Sequence, residues 1–245
     1  MNKQKAGFRM VIRLALVLFG VLLLAGCASR ARVGELRSES QSIELGVASS
    51  VRADIEMGAG SLQVTGGAEK LLQADFTYNV DKLKPEVTYK DGALVVQHPE
   101  VNGLPALQGI TGFRNEWDLR FNDSVPMDLR VNMGAGTSDL QLAGLSLTGA
   151  DISLGAGNST VDLSGDWKRD LDVAIDAGAS NITLRLPKDV GVRVQINAGI
   201  GRIEAPGLTK DGNVYTNAVY GVSDVTLQVN LQAGVGQITL EVEGE

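Results

Sequence analysis

From Ile43 onward, apolar and polar positions alternate with a period of two. Ile43, Leu45 and Val47 begin the pattern, and Val51, Ala53, Ile55 and Met57 continue it. The same alternation returns at Met127, Leu129, Val131 and Met133, at Leu171, Val173 and Ile175, and at Val190, Val192, Val194 and Ile196. Period two predicts strands with one face in a core. No run of period 3.6 follows the first 26 residues, so the body of the chain is expected to be all-β.

A short unit recurs within this pattern. An alternating strand runs into a turn of small residues and then into a second strand. The turns read MGAGSLQV from Met57, MGAGTSDLQL from Met133, LGAGNSTVDL from Leu154, AGASNITLRL from Ala177, AGIGRIEA from Ala198 and AGVGQITLEV from Ala233. Their first glycines are Gly58, Gly134, Gly155, Gly178, Gly199 and Gly234, with successive spacings of 76, 21, 23, 21 and 35. A spacing of 21 to 23 suits one coil of a solenoid, whose apolar face is buried only by stacking on its neighbours. The expected fold is a right-handed β-solenoid, a β-helix-like stack of short strands with Gly-rich turns. The alternative is a β-sandwich whose strands are joined by the same turns. The gap of 76 leaves room for about three further coils and a loop in the N-terminal half. The segment GLTKDGNVYTNAVYGVS, Gly207 to Ser223, accounts for the spacing of 35 and predicts a projecting hairpin that turns at Lys210 to Asn213.

The N-terminus has a different character. Lys3, Lys5, Arg9 and Arg13 precede the uncharged run LALVLFGVLLLAG, Leu14 to Gly26. A basic start and a short apolar core describe an export signal, and the run is too short to span a bilayer. Leu24-Ala25-Gly26-Cys27 resembles the bacterial lipobox, and Cys27 is the only cysteine of the chain. The expected organisation is a lipoprotein signal peptide at 1–26, a tether at 27–41, an N-terminal β region at 42–114 and a repeat β domain at 115–245. Lipidation is expected at Cys27, with the mature protein extracytoplasmic and anchored to the cell membrane. Its partners would be the membrane, reached through that lipid, and an envelope protein.

Charge narrows the partners further. The net charge is −7, and loss of residues 1–26 removes four basic residues and no acid, which moves it to −11. Such a surface repels nucleic acid. One Cys rules out a Cys-based zinc site, and one His removes most His-dependent metal and triad chemistry. The glycine turns lack the third glycine and the following helix of a dinucleotide loop, since Gln63 and Asp139 stand in that place. The acids after the turns keep no fixed offset, so no calcium ladder is expected. No cofactor and no metal are therefore expected.

Asp151, Asp162, Asp166, Asp170, Asp172 and Asp176 are the candidates for a carbohydrate-active β-helix, which needs paired carboxylates. Solvated strand faces and turn caps account for all six with no chemistry, and that is the expected reading. His98, beside Pro99, reads as a surface loop residue. Trp117 alternates with Leu119 and Phe121 and is expected in the core. Trp167, Tyr215 and Tyr220 are the candidates for a partner-contact surface, because amphipathic aromatics concentrate at interfaces.

The run NEWDLRFNDSVPMDLRVNMGAGTSDLQLAGL, followed by LGAGNSTVDLSGDW and LPKDVGVRV, resembles the bacterial toast-rack domains of unknown function. These are related to the C-terminal part of cell-wall-active-antibiotics-response proteins. The resemblance covers about residues 115–245, and residues 41–114 look like the region that accompanies that domain. It implies an extracytoplasmic, β-helix-like domain without enzyme activity and a role in envelope-stress sensing. The chain departs from the response proteins in having one lipobox where they have several membrane helices. The leading expectation is a non-enzymatic binding or sensor module. A structural or adhesive surface lipoprotein is the alternative, and a carbohydrate-active enzyme the weaker one.

Overall fold

The computed structural model describes residues 33–98 and 111–244. The signal segment 1–26 and the lipidation site Cys27 lie outside the described residues. Among those described, thirteen strands form one open sheet, with a single 3-10 turn at Asp81–Leu83 and no helix long and apolar enough to cross a membrane.

Six long strands carry the glycine turns. They are β2 (Val51–Thr65), β7 (Met127–Gln141), β8 (Leu147–Asp162), β9 (Leu171–Leu186), β10 (Gly191–Glu204) and β13 (Thr226–Val242). All six run parallel and in register, so each is one coil of a β-helix-like stack. The strands are longer than expected because the ladder continues through the glycine corner. Ala59 pairs with Ala135 and Gly60 with Gly136 in the middle of the β2–β7 pair. The side-chain phase changes at that corner. Odd positions Val51 to Met57 are buried before it in β2, and Leu62 and Val64 after it.

Glycine is required here because the coils approach backbone to backbone. A Cβ on Gly155 would lie 2.0 Å from the Gly134 carbonyl oxygen, and one on Gly157, at φ +140°, 1.8 Å from that of Gly136. No side chain fits such a gap.

Stack order departs from chain order in one place. The coils lie as β2, β7, β8, β9, β13, β10, so the last strand enters between β9 and β10. Asn217 fastens this crossover. Its Nδ2 donates to the carbonyls of Pro187 at 3.3 Å and Val190 at 2.7 Å, and its Oδ1 accepts from Val192 N–H at 3.0 Å. The segment between β10 and β13 forms β11 (Thr209–Asp211) and β12 (Val214–Thr216), a hairpin turning at Gly212–Asn213. It does not project as expected. Instead β12 pairs with Arg193–Gln195 of β10 and covers that half of the outermost coil.

The expectation of further coils inside the gap of 76 is corrected. β2 stacks directly on β7, and the intervening chain builds a cap instead. β1 (Arg37–Ile43), β3 (Leu72–Tyr78) and β6 (Asn115–Phe121) form an antiparallel unit, whose β6 pairs with the second half of β2. β4 (Glu86–Lys90) and β5 (Ala93–Gln97) form a hairpin whose β5 pairs with the first half. β1 takes up residues 37–41 of the segment read as a tether. β6 pairs both with β3 and with β2, so the stretches 42–114 and 115–245 share one sheet.

The core changes character between these parts. In the cap it is aromatic, with Phe76, Trp117 and Phe121 fully buried and the Phe76 and Trp117 rings edge to face at 5.6 Å. In the stack it is aliphatic, built from residues such as Leu129, Val131, Ile152, Val173, Ile175, Leu184 and Leu240.

Candidate functional site

The bend at the glycine corners makes the outer surface concave. Because the coils are in register, the concavities align into one groove of about 870 Å³. Six coils at about 4.8 Å per step make it roughly 24 Å long. Three columns of equivalent residues form it. The polar wall is Glu56, Asn132, Ser153, Asp176, Gln232 and Asn197, all exposed. The next position along each strand gives the floor: Met57, Met133, Leu154, Ala177 and Ala233, which Ala198 continues in register at the outermost coil. The first glycine of each corner supplies the bare backbone beyond. His98 closes the cap end.

His98 is not the free surface residue its sequence context suggested. It is half-buried, with its ring 4.7 Å from that of Trp117. The Asn115 amide is oriented by its other partners. Its Oδ1 accepts from Trp117 Nε1 at 3.0 Å, and its Nδ2 donates to the Ala59 carbonyl at 2.6 Å. That same Nδ2 lies 3.2 Å from His98 Nε2, where the ring nitrogen is placed to accept. Burial holds its pKa below the usual histidine value of 6.5.

The six candidate aspartates are dispersed. Asp151 faces Arg130 at 3.7 Å, and Asp162 faces Arg185 at 3.7 Å while accepting from the Ser164 N–H at 2.9 Å. Asp166 pairs with Lys168, and Asp170 accepts from the Thr226 N–H at 2.8 Å. Asp172 stands exposed on its strand. Only Asp176 lines the groove, where the other acid is Glu56. They lie three coils apart, about 14 Å at 4.8 Å per step, beyond the span of glycosidase carboxylate pairs. Among the described residues no cluster of three or more His, Cys, Asp or Glu could hold a metal ion.

The aromatic contact surface is corrected. Trp167 is 7% exposed, and its Nε1 donates to the Leu163 carbonyl at 2.8 Å. Tyr215 is 5% exposed, because β12 lies on β10 and turns that ring into the core. Of the three, only Tyr220, at 40%, presents its ring to solvent. Sequence reading missed the groove itself. Its signal was there in the residue before each corner, which is Glu, Asn, Ser, Asp, Asn or Gln in every coil.

Comparison with known proteins agrees with this architecture. The family model described as the N-terminal domain of toast_rack, DUF2154, matches residues 32–185. None of the curated proteins matches the sequence. A crystal structure of a "putative cell adhesion protein" from Clostridium sporogenes is 30% identical, with a TM-score of 0.81, over 85% of this chain and 100% of that one. A "putative adhesin" from Bacteroides fragilis is 10% identical, with a TM-score of 0.25, over 84% of this chain and 97% of that one. The family match starts at residue 32 and crosses position 114, where the sequence suggested a boundary, in keeping with the single sheet that joins cap and stack. The chain belongs to the toast-rack family, as a member carrying that family's N-terminal domain.

Proposed function

We propose that this protein is a lipid-anchored, extracytoplasmic binding module without enzyme activity, and that the groove along its coils is the surface that meets its partner. The groove carries this reading. It is a concavity of about 870 Å³, it crosses all six coils, and it exposes hydrogen-bonding side chains with no catalytic set. Parallel stacks commonly bind through such extended surfaces. The signal segment and Cys27 support export and anchoring, and the toast-rack relationship supports an envelope-stress role in which the partner is a membrane protein. A second reading is adhesion to an external surface. It is favoured by the Clostridium sporogenes protein, which resembles this chain over its whole length.

A photocrosslinking side chain at Ser153 in the groove, and another at Thr160 outside it on the second arm of the same strand, separate these readings in living cells. The expected result is a discrete crosslinked partner from position 153 and none from 160. A membrane protein supports the sensor, and an external macromolecule supports the adhesin. Equal products from both positions, or none from 153, overturn the groove. Cys27→Ser is expected to release the protein from the membrane fraction, and retention there overturns lipid anchoring.

A further inference from the structure

The floor of the groove is not uniform. At the cap end its side chains are Met57, Met133 and Leu154, all 5% exposed or less. At the next two coils the same register position holds Ala177 and Ala233, both half-buried, and the outermost coil holds Ala198, which is exposed. The backbone does not close in to compensate. Leu154 pairs with Ala177, and Ala177 with Ala233, within ladders of constant register. The stack thus forgoes several methylenes of burial at adjacent coils and leaves an apolar hollow open to the groove. Local loss of core packing at a concave surface is characteristic of functional sites.

The hollow lies beside an uncompensated charge. On the outer faces of the stack some acids meet arginines of adjacent coils, as in Arg52–Asp128, Arg130–Asp151 and Arg185–Glu241, while others such as Asp172 stand exposed without an ion pair among the described residues. Among the described residues Asp176 has no such partner, and no Lys or Arg lines the groove. Anionic ligands are therefore disfavoured. The groove offers no exposed aromatic platform beside the hollow, since His98 stands at the opposite end. A sugar ring has nothing there to stack on, whereas a small aliphatic side chain fits a two-coil hollow about 5 Å deep along the stack.

We propose that Ala177 and Ala233 form a subsite for a small aliphatic side chain of an extended basic polypeptide, with Asp176 pairing the neighbouring Lys or Arg. This rests on the groove being the binding surface and names what it takes. The full-length protein in detergent is titrated into fluorescein-labelled (Lys-Val)4 and (Glu-Val)4, read by anisotropy. Saturable binding of the first and not the second is expected. Ala233→Leu and Ala177→Leu each place the side chain that Leu154 already occupies one or two coils away. Each is expected to weaken (Lys-Val)4 at least tenfold without lowering the melting temperature. Asp176→Asn is expected to weaken it several-fold, and Asp172→Asn, four residues away and outside the groove, to leave it unchanged. Binding unaffected by both leucine variants, or equal effects at positions 172 and 176, overturns the subsite as plain charge attraction. No binding of (Lys-Val)4, or binding of chitohexaose in its place, overturns it as well. A groove that crosslinks a partner from Ser153 yet ignores the peptide refutes this inference alone, and a groove that crosslinks nothing refutes the function on which it rests.

Discussion

The stack and the cap solve the same burial problem by different means. In the stack, every coil meets the next through backbone at the corner and through aliphatic side chains along the arms. A coil can therefore be repeated with little change in sequence. In the cap, β1, β3 and β6 run antiparallel and are held by particular side chains, and each of those contacts occurs once. Trp117 sits between Phe76 and His98, and Tyr78 Oη donates to Glu39 at 2.5 Å. Regular packing leaves a continuous outer groove, and irregular packing closes one end of it with His98. The groove is thus a by-product of repetition. Its individual character comes from the few positions where the repeat is varied.

The sharpest way to break the comparison is at a stacked corner. Gly155→Val places a Cβ 2.0 Å from the Gly134 carbonyl, between coils that cannot separate without losing both ladders. The expected cost exceeds about 4 kcal/mol, at the exceptional end for a point change, and chemical denaturation measures it. A midpoint close to wild type would mean that the corners are exposed loops. In the cap, Trp117→Ala removes a ring rather than inserting an atom. It is expected to cost about 3 to 4 kcal/mol, as large aromatic truncations do. Hydrogen exchange is expected to rise first in β3 and β6, with β8 and β9 retaining protection. Uniform loss across both regions would show that cap and stack unfold as one unit.

Asn217→Ala tests the crossover in the same terms. It leaves the carbonyls of Pro187 and Val190 and the Val192 N–H without their side-chain partner. A loss of about 2 kcal/mol is expected, with faster exchange confined to the β9–β10 link and the start of β13. An unchanged midpoint would mean that the inserted strand holds itself in place.

The stack was legible in the sequence and the cap was not, for a physical reason. The six corners announce themselves because backbone contact at the corner admits almost nothing but glycine, so the constraint is written in residue identity. Even there, Ser180 stands where the other coils have the second glycine, and the register still holds at Ala179 and Ile182. Stack order was not legible. β10 and β13 carry the same corner and equivalent apolar arms, so either could lie against β9 by local pattern. The observed order carries the contacts of Asn217 and of the β11–β12 hairpin, which join residues far apart in sequence. The cap escaped because antiparallel strands with aromatic interiors share the period-two signature of a coil. The burial of Trp167 escaped because the charges of Asp166, Lys168, Arg169 and Asp170 mask a ring that turns back onto Leu163. Of the groove, the polar column was present in the sequence at fixed offset, but its concavity exists only once the corners are stacked.

A smaller effect, with a defined sign, comes from His98. Its folded pKa lies below 6.5 because burial disfavours the cation. The unfolded chain therefore binds the proton more readily. Stability is full above about pH 6.5 and falls as the pH drops below it towards the folded pKa. His98→Gln is expected to flatten the slope of unfolding free energy against pH in that window. The slope below about pH 4.5 should stay, because Glu39, held low by its hydrogen bonds from Tyr78 and Lys84, loses its own contribution there. An unaltered slope near pH 6 in the variant would move the proton-sensitive contact away from the Trp117 cluster.

The smallest expected effect is the most discriminating for the comparison of regions. Gly58 opens the same corner motif as Gly155, yet it belongs to the first coil, where the cap hairpin β5 pairs only as far as Glu56. A Cβ placed on Gly58 meets nothing within 4 Å, and its φ is not in the left-handed region. Gly58→Ala is therefore expected to lie between no change and about 1 kcal/mol of stabilisation, the gain coming from a less flexible unfolded chain. Gly134→Ala, one coil further in, sets a Cβ 2.4 Å from the Gly58 carbonyl and is expected to be clearly destabilising. If the two alanine variants melt alike, glycine is kept at these corners for the turn itself. If they diverge as the stacking distances require, it is kept for the neighbour, and the motif marks a coil that has another beneath it.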